Sequence, residues 1–269
     1  MPLHVSRSPL GVVTLRLDNP ARRNALDVAL AGELRAAVAD AASDASVRCV
    51  VVTGTNGAFC SGADLGGFLE SSGGGADGGG RGASVLARRE MLSSYYRTFL
   101  DVRALDVPTV AAVNGPAIGA GLNLALCCDL RVCGESARFG ATFVRLGIHP
   151  GGGATHLLAR LIGPERAARL VLTGEVISGA EAVALGLASS VVPDAALADA
   201  VDALTSRIAA NAPAAVRAAK RALRLAVDHP FDAVLEVEAL AQAASQSAED
   251  AVEGWTAFRE KREPRFTGR

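Results

Sequence analysis

Two stretches carry the most chemistry for their length: GAFCSGADL, residues 57–65, and NGPAIGAGL, residues 114–122. Each follows an apolar run, VRCVVVTG (47–54) in one case and TVAAV (109–113) in the other, and each is a glycine-containing loop placed to open a helix. The first turn of a helix leaves backbone N–H groups without intrahelical partners and carries partial positive charge, so both loops are candidate anion sites. If the two strands are neighbours, one N–H from each loop can converge on a single oxygen. That is an oxyanion hole, and removing one donor from such a site typically costs about 3–4 kcal/mol of barrier lowering. Taken alone, either loop reads as a tight strand-to-helix turn; the repetition is what suggests a site. Neither is a nucleotide fingerprint, because Gly119-Ala120-Gly121 lacks the third glycine of the dinucleotide motif and no GxxxxGK[ST] occurs, which disfavours a Rossmann oxidoreductase.

A third stretch, FGATFVRLGIHPGGG (139–153), reads as the wall of a site, running from a β-like piece into a glycine-rich turn that can open a helix. For chemistry it offers Arg145 and His149 but no carboxylate. His149 precedes Pro150 and the helix-opening glycines, where the positive end of a helix keeps an imidazole neutral and suited to act as a base. The competing reading is a structural hydrogen bond in a turn. Arg145 and His156 rank below it.

The elements that must position these loops follow from pattern. LGVVTLRLDNP (10–20) reads as a strand and turn, and Leu30, Leu34, Val38 and Ala41 step by three or four as in an amphipathic helix. The β-branched run 47–54 has the continuous apolarity of a strand covered on both faces, as does 109–113. Residues 66–83, GGFLESSGGGADGGGRGA, have the composition of a mobile loop; the helix after it shows Leu86, Met91, Tyr95, Phe99 and Val102. LRVC and ARFG read as short strands, and Ser178 with Glu181 forms a capping box ahead of a helix. Leu187–Val192 predicts a last strand closed by Pro193, and three or four helices with breaks near Pro213, Pro230 and Asp250 complete the chain. The expected organisation is an α/β core over 1–195 and a helical region over 196–269.

The 269 residues suit one α/β domain with a helical appendage, and half of them are apolar with only 4% aromatic. A formal net charge of -1 argues against a nucleic-acid partner. Basic clusters at Arg22–Arg23, at Arg88–Arg89, at Arg217, Lys220, Arg221 and Arg224, and at Arg259, Lys261, Arg262 and Arg265 read as solvated faces, with phosphate contact as the alternative. Cys49, Cys60, Cys127, Cys128 and Cys133 are odd in number and sit in apolar segments, as buried thiols of a reducing compartment do. Cys127, Cys128 and Cys133 lack CxxC spacing and a fourth ligand, so no metal is expected. The beginning of the chain shows no apolar signal segment, and the uncharged run 109–128 is divided by Asn114, Gly115, Pro116 and Gly119 into pieces too short to span a membrane. A cytoplasmic protein without a membrane partner is the expectation.

AFCSGADL, PTVAAVNGPAIGAGLNLALCCDLRV, ARFGATFVRLGIHPGGG, LTGEVISGAEAVALGLASSVVP and FREKREPRF occur in an order and spacing that resemble the crotonase superfamily of enoyl-CoA hydratases and isomerases, from about Leu10 to Phe266. The resemblance implies an α/β crotonase-like fold of repeated ββα units, with 196–269 as a helical trimerisation region. It implies a homotrimer or a hexamer built as a dimer of trimers, and an acyl-CoA thioester as ligand, with coenzyme A arriving as part of the substrate and no separate cofactor. By the same resemblance the thioester oxygen lies between the N–H groups of Ala63 and Ala120. Arg22, Asn24, Ala25 and Leu26, together with Ala63, Asp64 and Leu65, border the CoA, Asp64 holds its turn, and Lys261 reaches a CoA phosphate. The family's hydratases use two glutamates; counting along the motifs, these fall at Asn123 and Phe143. Neither residue exchanges protons at neutral pH, and general acid–base groups contribute roughly 10² to 10⁴ each. His149, or Glu70 and Asp77 on the glycine-rich loop, would have to substitute. The expectation is therefore a hydratase- or isomerase-like enzyme with non-standard catalytic groups; the alternatives are decarboxylation or other enolate chemistry, and a non-catalytic acyl-CoA binder.

Overall fold

The computed structural model describes residues 2–64 and 84–269; Leu65 and the glycine-rich stretch 66–83, with Glu70 and Asp77, lie outside the described residues. The main sheet has six strands in the order β1 (Leu3–Arg7), β2 (Val12–Leu17), β3 (Cys49–Gly54), β4 (Thr109–Val113), β6 (Leu130–Gly134) and β9 (Ser190–Val192). Only β1–β2 is antiparallel; from β2 onward every pairing is parallel. A smaller sheet joins β5 (Pro116–Ile118), β7 (Arg138–Gly140) and β8 (Val176–Ser178).

The uninterrupted apolar runs at β3 and β4 follow from what lies on each side of the sheet. Val50, Val52, Ala111 and Val113 point into the larger core, with Leu30 and Leu34 of α1 (Val28–Ser43) and Phe99 and Val102 of α2 (Val85–Ala104). Cys49, Val51, Val110 and Ala112 point the opposite way, into a second core closed by Leu197 and Val201 of α7 (Leu197–Ala209). Neither face of these strands meets water, so they are apolar except for Thr53 and Thr109, whose hydroxyls donate to Ala112 O and Asp129 Oδ2 at 2.9 Å each. α1 starts where Asp27 accepts the Leu30 amide at 2.8 Å, and its buried positions are the expected Leu30, Leu34, Val38 and Ala41, joined by Ala31. In α2 the stripe shifts: Leu86 is 69% exposed, and burial begins only toward Thr98, Phe99 and Val102.

Between the sheets and the C-terminal end run α3 (Ala120–Cys127), α4 (Ala154–Ile162), α5 (Pro164–Thr173) and α6 (Gly179–Leu185). Ser178 and Glu181 form the expected reciprocal cap of α6, with Oγ and Oε2 accepting backbone amides at 3.2 and 2.8 Å. The last expected strand is shorter than 187–192, because Leu187 is fully buried as core while pairing with β6 is confined to Ser190–Val192. α8 (Pro213–Ala226), α9 (Phe231–Gln246) and α10 (Glu249–Glu260) follow α7, with breaks where the prolines predict them.

Most of the basic stripe on α8 is committed to the fold rather than to solvent, with Arg221 its exposed member. Lys220 is buried and donates to Val107 O at 2.5 Å while lying 2.5 Å from Asp129 Oδ2; Arg221 holds both oxygens of Asp106; Arg217 donates to Val47 O at 3.1 Å. These cations lock α8 against the ends of β3 and β4. All five cysteines are buried and free, with burial pushing Cys49, Cys60 and Cys127 up to about 12. Among the described residues no cluster of histidine, cysteine and acidic side chains could hold a metal ion, and no helix is long and apolar enough to cross a membrane. Replacing Leu34, fully buried in α1, by alanine removes core packing and is expected to lower unfolding free energy by about 2–5 kcal/mol in a denaturant titration. Leu86→Ala, at an exposed position, should shift it by less than about 0.5 kcal/mol.

Candidate active site

The two loops singled out by sequence meet because β3 and β4 are hydrogen-bonded neighbours, with Val50 opposite Thr109 and Val52 opposite Ala111. Beyond the strands, Cys60 bridges Ala117 in β5: its amide donates to Pro116 O at 2.9 Å, and its carbonyl accepts from Ile118 N at 3.0 Å. On the other side Leu26 bridges Ala63, with Leu26 N donating to Gly62 O at 2.8 Å and Asp64 N to Leu26 O at 3.2 Å. In this parallel pairing the amides of Leu26 and Asp64 are consumed, and that of Ala63 faces away from Leu26.

The second amide comes from α3. Ala120 is its first residue, so its N–H has no acceptor within the helix. Gly119, the residue before it, holds φ 56 and ψ -117, a conformation open to glycine and strained for any side chain. Gly121 is packed backbone to backbone: a Cβ there would stand 2.0 Å from Cys60 O. A Cβ on Gly62 would lie 3.7 Å from Ala120 N, which places the residue before Ala63 beside the Ala120 amide. Among the described residues neither Ala63 N nor Ala120 N donates to another backbone group.

Both residues line a chamber of about 490 Å³. Its walls are Met91, Leu92, Tyr95, Tyr96 and Phe99 of α2, Ile118, Asn123 of α3, and Phe143, Leu146, Ile148 and His149 from the segment after β7; Arg88 completes the lining toward the start of α2. No aspartate or glutamate is found among the described lining residues. Asn123 is buried and its Nδ2 donates to Gly151 O at 2.9 Å, while its Oδ1 has no hydrogen-bond partner among the described residues. Phe143 lies in a 3-10 turn over Thr142–Leu146 and packs on the core.

The candidates gathered from sequence therefore divide. Ala63, Ala120, Asn123, Phe143 and His149 come together around one chamber, whereas Arg145 and His156 are exposed and do not line it. Arg22 pairs with Asp64, and Ser61 Oγ donates to Arg22 O at 2.8 Å, so this segment holds the Ala63 loop from outside. Asn24 is fully buried and spends its amide on its own surroundings: Oδ1 accepts from Asn19 N at 2.9 Å and Nδ2 donates to Ala58 O at 2.8 Å and Thr55 O at 3.1 Å. Ala25 and Leu26 are likewise buried, so they present backbone rather than side chain. Lys261 sits exposed past the end of α10, outside the chamber lining.

Sequence reasoning missed the chamber's tyrosines. Tyr95 and Tyr96 are the chain's two tyrosines, adjacent on a helix that reads simply as apolar. Tyr95 meets Phe99 edge to face at 6.2 Å, and a Cβ on Gly151 would strike Tyr96 Oη at 2.1 Å. Burial raises both phenols above their ordinary value; for Tyr96 an amide hydrogen bond from Gly152 opposes it in part. Both are proton-bearing groups at neutral pH, and the Cys60 thiol beneath the loop is held protonated by burial.

Comparison with known proteins shows the family and the fold. The family model described as enoyl-CoA hydratase/isomerase matches residues 7–269. The chain is 38% identical over 258 residues to the 2,3-dehydroadipyl-CoA hydratase of Escherichia coli K12, covering 96% of each. It is 34% identical over 256 residues to the crotonyl-CoA hydratase of Syntrophomonas wolfei, covering 95% of this chain and 94% of that one. The crystal structure of enoyl-CoA hydratase from Bacillus anthracis superposes with a TM-score of 0.92 at 35% identity, over 100% of both chains.

The chamber's phenols can be titrated directly. Native Tyr95 and Tyr96 hold their protons to higher pH than unfolded tyrosine, whose value is about 10, so the folded state binds more protons above that pH and stability falls as pH rises past it. Phenolate absorbance is expected to appear late and together with loss of the helical dichroism signal; full phenolate at pH about 10 in a folded chain would contradict the burial.

Proposed function

The chain belongs to the enoyl-CoA hydratase/isomerase family and has its crotonase fold of repeated ββα units with a helical C-terminal region, and on that premise we propose that the chamber binds an acyl-CoA thioester with its carbonyl oxygen between the amides of Ala63 and Ala120. What supports this reading is that Ala63, on a loop stapled from both sides, and Ala120, which opens a helix, line one largely apolar chamber, with Gly62 beside the Ala120 amide and neither amide donating to another backbone group among the described residues. Both donors are fixed before any ligand arrives, so little reorganisation opposes the build-up of negative charge on the oxygen. The family places the protein in acyl-CoA metabolism, with hydratase- or isomerase-type chemistry in general.

The finer assignment follows from the lining. Asn123 and Phe143 stand at the positions that the family resemblance gives to the two glutamates, and neither accepts a proton at neutral pH. Water is therefore poorly activated, and hydration of a simple enoyl thioester is slow. His149 lines the same wall and is the remaining lining group with an imidazole to take up or return a proton. The lack of a carboxylate among the described lining residues favours, as second reading, a reaction that makes its own enolate: loss of CO₂ from a malonyl-type thioester leaves the electron pair on the α carbon and carbonyl oxygen, which the two amides stabilise, and water returns the proton. Arg22, through its pair with Asp64, together with Ala25, Leu26, Leu65 and Lys261, is assigned to the CoA moiety, with Asn24 supporting that segment from within.

Crotonyl-CoA absorbance is expected to fall only slowly on adding the protein. Asn123→Glu combined with Phe143→Glu should raise the rate by roughly 10² or more. Rapid hydration by the unaltered chain, or no gain from a folded double variant, would remove the assignment of those two positions. Product analysis with a malonyl-type thioester decides the second reading.

Residues 196–269 are proposed to close a homotrimer, or a pair of trimers. Phe231, Leu240, Trp255 and Phe258 on α9 and α10 are exposed large apolar groups, a concentration that soluble chains cover by association. Light scattering should give at least three times the 27.4 kDa chain mass. Trp255→Asp with Phe258→Asp should shift the protein toward monomer; a monomeric parent chain would end the proposal.

A further inference from the structure

The helix that presents Ala120 is held at both ends, and its far end is surrounded by charges that the mechanism above leaves unused. Arg131, on β6, is buried and turned under α3. Its Nη1 donates to Cys128 O at 2.7 Å and Ala125 O at 3.3 Å, its Nε to Leu187 O at 2.6 Å, and its Nη2 to Asp129 O at 3.4 Å. Ala125 and Cys128 carry carbonyls at the C-terminal end of α3, where i+4 helical amides are lacking; Ala125 O also accepts from the capping Cys128 amide at 3.3 Å. All four contacts are to neutral carbonyls, so they fix the guanidinium without cancelling its charge.

Further cations gather at the same end. Lys220, buried on α8, lies 2.5 Å from Asp129 Oδ2, and Arg224 stands 3.5 Å from Asp129 Oδ1. Arg103, Arg131 and Arg224 all act electrostatically on Cys127, the last residue of α3. Asp129 is the carboxylate in contact with this group, and it is shared between Lys220 and Arg224. The sum is an excess of positive charge, partly out of water, at the base of a helix whose opposite end is the oxyanion donor.

We propose that Arg131 is a positioning and polarising residue for the oxyanion site: by gripping the C-terminal carbonyls of α3 it aims the Ala120 amide, and with its cationic neighbours it adds a positive field along the helix axis to the oxygen held there. This rests on the reading of Ala63 and Ala120 as the carbonyl-binding amides. An eight-residue helix is about 12 Å long, and at an effective dielectric of about 20 one unit charge over that distance changes the stability of an anionic oxygen by about tenfold. A ground-state thioester is neutral and feels much less, so the effect falls on turnover and carbonyl polarisation rather than on affinity.

The test is the carbonyl stretch of butyryl-CoA labelled with ¹³C at the thioester carbon, read by infrared difference spectroscopy on the intact protein. The unaltered chain should shift this band to lower frequency on binding. Arg131→Met is expected to keep butyryl-CoA affinity within about threefold and to lose a third or more of the shift. Arg131→Lys, which keeps the charge but not the planar fork, should lose less. Asp129→Asn removes the negative member and should enlarge the shift, a direction that structural damage does not produce. It also decides the matter if Arg131→Met fails to fold. A bound ligand whose band does not move in the unaltered chain would overturn the amide-pair reading. A band that moves equally in the unaltered chain, Arg131→Met and Asp129→Asn would overturn the role of Arg131 and leave the amide pair standing.

Discussion

The site depends on one close approach of main chain to main chain: the first turn of α3 lies so near the Cys60 carbonyl that the Cα hydrogen of Gly121 occupies the space any larger group would need. That contact ties the end of β3 to the start of α3, two parts of the chain some sixty residues apart. The Ala63 amide depends on it, because its loop is stapled to β5 through the same Cys60. The Ala120 amide depends on it, because the turn that exposes it cannot sit elsewhere. The parallel pairing of β3 with β4 brings the two loops side by side, but pairing alone would leave them separated by side chains.

Around this pair the chamber is built for a particular division of labour. Its described walls are largely apolar and aromatic, and on the proposed reading a less polar surrounding strengthens any interaction between the amides and a developing negative oxygen. Its proton-bearing phenols stay neutral, and Asn123 is oriented by Gly151 so that its side-chain oxygen rather than its amide nitrogen is left uncommitted. On the proposed reading, electrostatic stabilisation is thus fixed into the backbone, while proton transfer rests on few groups among the described residues. The reaction can change with the wall residues without altering the amides, since backbone donors do not depend on side-chain identity.

Much of the fold was legible in sequence, for reasons that differ by element. β3 and β4 read directly because both of their faces are covered, and α1 reads from its spacing because only one face is. The cap of α6 and the breaks before α8 and α9 are local signals that need no tertiary knowledge. What was hidden depends on partners distant in sequence. β5 is three residues inside what reads as a loop, and it is a strand only because Arg138–Gly140 lies beside it. The arginines and lysine of α8 look like a wet face until Asp106, Asp129 and the carbonyls of Val47 and Val107 are placed opposite them. At the candidate site, the repetition of two glycine loops after neighbouring strands pointed to Ala63 and Ala120, which line one chamber. Tyr95 and Tyr96 gave no such sign, because an aromatic at helical spacing is equally at home in a core.

The five thiols have a practical meaning. Each is enclosed by the fold, and a sulfhydryl deprived of solvent is a poor nucleophile, so the native protein is in effect a blank background for maleimide chemistry. A single cysteine introduced on the exposed turn between β1 and β2, away from α9 and α10, would be the sole reactive handle on each folded chain, giving a fluorophore or spin label a defined address without first stripping the natural cysteines from the core.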